Sequence, residues 1–141
     1  MTRKEFTALS KPILDKHLKK SRVKVLVCYK PSLKWLGLSD HKKNTIQINL
    51  GNCKTLKDAL LVLLHEIRHF QQYRRNPKVF DTYISHEEHK NKYYSQFVEL
   101  DADMWAVSQL KKLKYTNVPI SPDSNSTYDK TYKRLEYNGY V

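Results

Sequence analysis

The sequence has few cysteines, few glycines and prolines, and no long apolar run. Its 141 residues include two Cys, three Gly and five Pro. Two isolated cysteines exclude a disulfide framework and a cysteine-rich zinc knuckle, and so little Gly and Pro excludes a low-complexity linker. No stretch reaches the roughly 18 apolar residues of a membrane span, and no apolar segment with a cleavage site follows the charged N-terminus. We therefore expect one cytoplasmic domain over residues 1–141, with no membrane partner.

Positive charge is the strongest compositional feature of the chain. Lys and Arg number 26 against 14 Asp and Glu, which gives a formal net charge of +12. Such a surplus creates a field that attracts polyanions, so nucleic acid is one partner that the basic surface could bind. Motifs of the common nucleic-acid-binding folds are missing from the sequence, and the charge is equally compatible with an acidic protein substrate.

The spacing of apolar residues predicts an α+β domain. Helical spacing indicates an N-terminal helix within residues 1–20 and two long helices over residues 55–75 and 87–113. Alternating polarity predicts strands at residues 23–29 and 45–50, within a segment 23–50 whose middle, residues 30–43, is predicted as a loop. The helix over residues 55–75 begins apolar on every side, which predicts a central position in the fold. The Tyr-rich basic tail, residues 115–141, shows no clear pattern.

A metal-binding motif lies on this central helix. His65 and His69 frame the sequence H-E-x-x-H, and residues four apart share one face of a helix. Both imidazoles can therefore point at one ion, while Glu66 can reach a water molecule on that ion. Burying two histidines and a glutamate on an apolar helix would be costly without a ligand, although hydrogen-bonded core histidines are the simpler alternative.

The next long helix offers a third metal ligand. Glu99 and Asp103 share a face there, whereas Asp101 points away from it. Small residues at 102 and 106 lie beside this face and would let the two helices approach closely. Glu99 is therefore the predicted third ligand, and Asp103 is predicted to accept a hydrogen bond from a ligating imidazole. Two alternatives stay open: in one, these acids belong to an ordinary helix surface, and in the other the third ligand is His86, His89 or Asp103.

This combination resembles a known group of enzymes. H-E-x-x-H on one helix and E-x-x-x-D on the next are typical of gluzincin zinc metallopeptidases, and the short chain is similar to minimal members such as the ImmA/IrrE-type proteases. The resemblance implies a small zincin-like domain, a minigluzincin, with a small sheet packed on the two helices that carry the metal site. It also implies Zn²⁺ held by His65, His69 and Glu99, with Glu66 as the general base for hydrolysis of a protein or peptide substrate.

The resemblance further implies an edge strand that binds the substrate by strand addition. The strand just before the central helix matches in position, which predicts substrate contacts from Thr45, Ile46, Gln47, Ile48 and Asn49. A tail tyrosine could stabilise the oxyanion, the candidates being Tyr128, Tyr132, Tyr137 and Tyr140. The alternative function is a nucleic-acid-associated or regulatory binding protein in which the zinc site is structural or vestigial.

Overall fold

Four α-helices and a three-stranded sheet make up the described part of the chain. The computed structural model describes residues 2–83, 96–113 and 127–139. The helices are α1 (Arg3–His17), α2 (Leu56–Arg75), α3 (Phe97–Lys111) and α4 (Thr127–Tyr137), and the strands are β1 (Lys24–Cys28), β2 (Gly37–Asp40) and β3 (Thr45–Asn49). Short 3-10 turns occupy Leu50–Asn52 and Pro77–Phe80. The predicted α+β class is thus confirmed.

Local capping signals determine where the helices begin. A capping box joins Thr2 and Glu5 at the start of α1, and the Thr55 hydroxyl accepts a hydrogen bond from the backbone N–H of Asp58 at the start of α2. Helix α3 begins at Phe97, and residues 87–95 of the longer predicted helix lie outside the described residues. Within the part of the chain described here, none of the helices is long and apolar enough to cross a membrane.

The sheet has the order β1-β3-β2, which places β3 in the middle. Strand β3 pairs with β1 in parallel and with β2 antiparallel. The loop predicted over residues 30–43 is therefore wrong in its second half. Strand β2 is short and contains Gly37, Ser39 and Asp40, which are residues typical of turns, so its sequence carries no strand signal.

The prediction that β3 is an edge strand is also wrong, whereas substrate contacts by its residues stay a prediction. Hydrogen-bonded neighbours on both sides occupy its backbone, and the side chains of Ile46 and Ile48 are fully buried. The Asn49 side chain serves the fold, because it donates to the carbonyls of Lys30 and Trp35 and accepts from the N–H groups of Lys30 and Gly51. Thr45 and Gln47 are half-buried on the other face of the strand. Among the described strands, the edge strand that packs on α2 is β2.

Helix α2 is the centre of the core, as its apolar sequence predicts. Its buried residues run from Asp58 through Leu64 and continue at Glu66, Ile67, His69, Phe70 and Gln72. Helix α3 packs against it through Ala102 and Ala106, which are both fully buried. Helix α4 adds Leu135 to the same core, so the tail supplies a helix that the sequence does not predict.

Candidate metal centre

Three predicted ligands meet between α2 and α3. His65 Nε2 lies 3.0 Å from His69 Nε2 and 3.0 Å from Glu99 Oε2, and His69 Nε2 lies 3.1 Å from Glu99 Oε1. Glu99 is 1% exposed, His69 is buried and His65 is half-buried. Among the described residues, His65, His69 and Glu99 form a group that could hold a metal ion. Helical spacing joins the two histidines, and the close packing of α3 on α2 supplies the carboxylate.

The His65 ring is held by a carboxylate on α3. His65 Nδ1 lies 2.8 Å from Asp103 Oδ1, so the ring donates its Nδ1–H there and directs Nε2 towards Glu99. The Arg134 guanidinium, on α4, donates to the second oxygen of Asp103. Asp103 therefore occupies the predicted outer position, and it is itself oriented by a residue that sequence reasoning missed.

The His69 ring is held by Gln72. Gln72 Nε2 donates to the Val98 carbonyl at 2.9 Å and to Asp101 Oδ2 at 2.8 Å, and neither oxygen can donate in return. The amide oxygen of Gln72 must then face His69 Nδ1, which lies 2.8 Å away and carries the hydrogen. Neutral His69 consequently has its lone pair on Nε2, the nitrogen that faces Glu99, as a metal ligand requires.

Asp101 contributes to this arrangement although it was expected to point away. Its carboxylate accepts two hydrogen bonds from Arg68 on α2, at 2.8 and 3.2 Å, in addition to the one from Gln72. Burial acts to raise the pKa of Asp101, but these hydrogen bonds and the charges of Arg68 and Arg75 lower it. Asp101 is thus an ionised anchor for Gln72 rather than a surface acid.

The electrostatics of the group favour a charged pair. Burial by itself would lower the pKa of His65, but hydrogen bonds to Asp103 and Glu99 and their negative charge raise it well above its usual value. Burial by itself would raise the pKa of Glu99, and hydrogen bonds and charge from His65 and His69 instead lower it far below its usual range. Without a cation, a protonated His65 therefore faces an ionised Glu99.

Glu66 is buried on the side of α2 that faces strand β2. The Ser39 hydroxyl is hydrogen-bonded to the Glu66 carboxylate and lies 3.2 Å from the Glu66 backbone carbonyl. Gly37 makes this approach possible, since an added Cβ would lie 2.5 Å from Val62 Cγ1 and 3.3 Å from Glu66 Cγ. Strand β2, which the sequence does not predict, thus orients the proposed base.

Aromatic residues also contact the three predicted ligands. Tyr83 donates its hydroxyl hydrogen to Glu99 Oε1 at 2.9 Å, and Phe80 packs edge-on against the His69 ring at 5.7 Å. Of the tail tyrosines, Tyr132 lies under the Lys111 ammonium at 4.8 Å and Tyr137 is 91% exposed. Among the tyrosines whose side chains the structure describes, Tyr83, which the sequence analysis missed, is therefore the one hydrogen-bonded to a predicted ligand.

The side chains of four other residues that the sequence offers as ligands or as the oxyanion-stabilising tyrosine lie outside the described part of the chain. His86 and His89, the alternative ligands, lie outside the described residues, as do Tyr140 and the side chain of Tyr128.

Comparison of the chain with family models, with curated proteins and with solved structures found no match. The gluzincin resemblance accordingly rests on the residues of the site and on their arrangement.

Proposed function

We propose that the protein is a zinc-dependent peptidase, with His65, His69 and Glu99 as ligands and Glu66 as the general base. One observation carries the proposal: the Nδ1 atoms of both imidazoles are tied to acceptors, and both Nε2 atoms point at the same buried carboxylate. Core histidines without a ligand have no need of this shared direction. Imidazole ligands with fixed outer partners are the usual construction of protein zinc sites.

The donor set fits zinc. Two imidazole nitrogens and one carboxylate are the three protein ligands of many catalytic zinc sites. Bonds of about 2.0 to 2.2 Å in a tetrahedron separate ligand atoms by about 3.3 to 3.6 Å. The observed separations of 3.0 to 3.1 Å are slightly shorter, so small side-chain adjustments would admit the ion. When bound, zinc would supply a Lewis acid that polarises a carbonyl and lowers the pKa of water to about 7.

The residues of the chain have distinct roles in this proposal. Glu66 would accept a proton from the water that attacks the peptide carbonyl, and would pass it to the leaving amine as the C–N bond breaks. The Ser39 hydroxyl fixes the direction of the Glu66 carboxylate. Tyr83 holds one oxygen of Glu99, which limits rotation of that ligand.

Strand β2 supports a revised position for the substrate. It is the outer strand of the sheet on the side of Glu66, and Ser39 contacts Glu66 directly. An extended peptide that pairs with the outer edge of β2 would run alongside the proposed base. The proposal therefore transfers the substrate-binding role from β3 to β2.

Zinc content and peptide cleavage test the proposal together. We expect about one zinc per chain. We also expect the protein to cleave peptides of a proteome-derived library, and mass spectrometry would identify the products. Glu66→Gln should keep the zinc and abolish cleavage, whereas Glu136→Gln, at an exposed position on α4, should change neither. Protein without stoichiometric zinc, or a Glu66→Gln variant that cleaves at the parent rate, would overturn the proposal. Bound zinc with no cleavage in the parent would instead indicate a structural site.

A further inference from the structure

A basic groove lies between α1, α2 and α3, away from the metal centre. It consists of a cavity of about 460 Å³ and an adjoining cavity of about 210 Å³, which share His17 and Gln109. Arg68, Arg74 and Arg75 line the larger cavity, and Lys16 and Lys112 line the smaller one. On α2, Arg68 and Arg75 are seven residues apart and therefore lie on the same face of the helix. His65 and His69 line neither cavity.

The groove carries charge of one sign. Among the described residues that line its two cavities, none is acidic. Arg74 and Arg75 are exposed, and neither forms an ion pair with another described residue. Lys16 and Lys112 line the smaller cavity together with His17. Burial lowers the pKa of His17, and the charge of these two lysines lowers it further. Four cationic side chains thus share one depression of the surface, while the charge of Arg68 is paired with Asp101.

The residues at the floor of the groove are hydrogen-bonded to or packed against one another. Trp105 lies between His17, whose ring meets it edge-on at 4.9 Å, and the Arg68 guanidinium, 5.4 Å from the indole centroid. Gln71 donates to the His17 carbonyl at 3.1 Å and accepts from Arg68 at 2.9 Å. These bonds hold the floor in place, while the long side chains at the rim present their charge to solvent.

This chemistry identifies the class of ligand. Guanidinium groups match phosphate oxygens in geometry and charge, and ammonium groups add strong point charges. Lys16, Arg74, Arg75 and Lys112, spread over two joined cavities, carry more charge than a single phosphate can neutralise, and they suit a chain of phosphates. We propose that this groove binds the phosphate backbone of a nucleic acid, without recognition of base sequence. The inference does not rest on the proposed peptidase activity.

The salt dependence of binding tests the location of the contacts. Arg68 is already paired with Asp101, which leaves four cations for phosphate. If each of these neutralises one phosphate of a single strand, the logarithm of the binding constant should fall with the logarithm of salt at a slope of about −2.8. Binding should then weaken about 50-fold between 50 and 200 mM salt. Arg74→Gln/Arg75→Gln should reduce the slope to about −1.4, which corresponds to a loss of about 7-fold over the same range.

A matched variant controls for net charge. Lys34→Gln/Lys54→Gln removes the same charge from exposed positions near the opposite end of α2, about 30 Å away for a helix of 20 residues. The assay is fluorescence anisotropy of labelled single-stranded and duplex oligonucleotides of mixed sequence, with circular dichroism to verify folding and zinc content measured in each variant. Only the arginine variant should lose slope, and both variants should keep their zinc.

Three outcomes would overturn the inference. The first is no oligonucleotide binding by the parent at 50 mM salt, and the second is an equal loss of slope in both double variants, which would indicate diffuse attraction by the net charge. The third is tight binding of pyrophosphate that displaces no oligonucleotide, which would indicate a pocket for a small polyphosphate instead. Failure of the peptidase tests would leave all three readouts unaffected.

Discussion

Gln72 offers the sharpest test of how the metal centre is held. Its side chain bonds to His69 Nδ1, to the Val98 carbonyl and to Asp101, at 2.8 to 2.9 Å. Gln72→Ala removes the acceptor that fixes the tautomer and direction of His69. Loss of such an outer partner costs about 10-fold to 100-fold in metal affinity, which is about 1.4 to 2.7 kcal/mol.

The same substitution should destabilise the metal-free protein. His69 is 6% exposed, and its Nδ1–H would lose the Gln72 acceptor in a buried site. An unsatisfied buried group costs about 1 to 3 kcal/mol. Urea unfolding of the metal-free protein should report this loss, and zinc competition against a chromophoric chelator should report the loss in affinity.

Gln71→Ala is the matched control. Gln71 is the neighbouring residue on α2, has the same side chain and is also hydrogen-bonded, but its partners are Arg68 and the His17 carbonyl. It touches none of the three ligands, so zinc affinity should stay at the parent value. Glu99→Ala, which removes a ligand, should lose more affinity than Gln72→Ala. Equal zinc affinity in folded Gln72→Ala and Gln71→Ala variants would refute the role of Gln72.

Two further predictions concern residues outside the metal centre. Burial and the nearby charge of Asp58 raise the pKa of Cys53 from 9.0 to about 12. At pH 8 its thiolate should therefore be about 1,000-fold scarcer than the thiolate of a cysteine with the ordinary pKa, and it increases only as the pH rises towards 12. Iodoacetamide should therefore modify Cys53 far more slowly in native than in urea-unfolded protein, by peptide mass analysis, and equal rates would contradict the burial. Gly37→Ala should cost about 1 to 3 kcal/mol of stability, because its Cβ would lie 2.5 Å from Val62 Cγ1. Val62→Ala should relieve part of that cost in a double-mutant cycle, and strictly additive effects would count against the contact.

The site was more predictable than the sheet because its signals are local. His65 and His69 are one helical turn apart, and Glu99 and Asp103 repeat that spacing on α3, so the helical period alone puts each pair on one face. Strand β2 exists through pairing with β3 and close packing on α2, and neither contact leaves a pattern in its four residues. Pairing between distant segments decides which strand lies at the edge of the sheet. The sequence therefore could not show that β2, rather than β3, is the edge strand among those described.

The residues that orient the ligands could not be predicted from the sequence, for a different reason. Gln72 is three residues from His69, so its proximity follows from the helix, but its orientation depends on Asp101 and on the Val98 carbonyl of α3. Arg134 reaches Asp103 from α4, which is 31 residues further along the chain. Side-chain direction at such positions is decided by tertiary partners, and no spacing rule in the sequence encodes those partners.

The two imidazoles are held by acceptors of different charge, and this difference has a consequence for folding. The Nδ1–H of His69 is bound by the neutral Gln72 amide, whereas that of His65 is bound by the Asp103 carboxylate, which together with Glu99 raises the pKa of His65 against the effect of burial. The charges of protonated His65 and Arg134 then balance those of Glu99 and Asp103 when no cation is present. This charge balance lowers the cost of burying Glu99 without a metal, so we expect the metal-free chain to keep its fold. An ion that enters between these ligands would replace the proton of His65, so metal uptake would be linked to release of a proton rather than to folding of the chain.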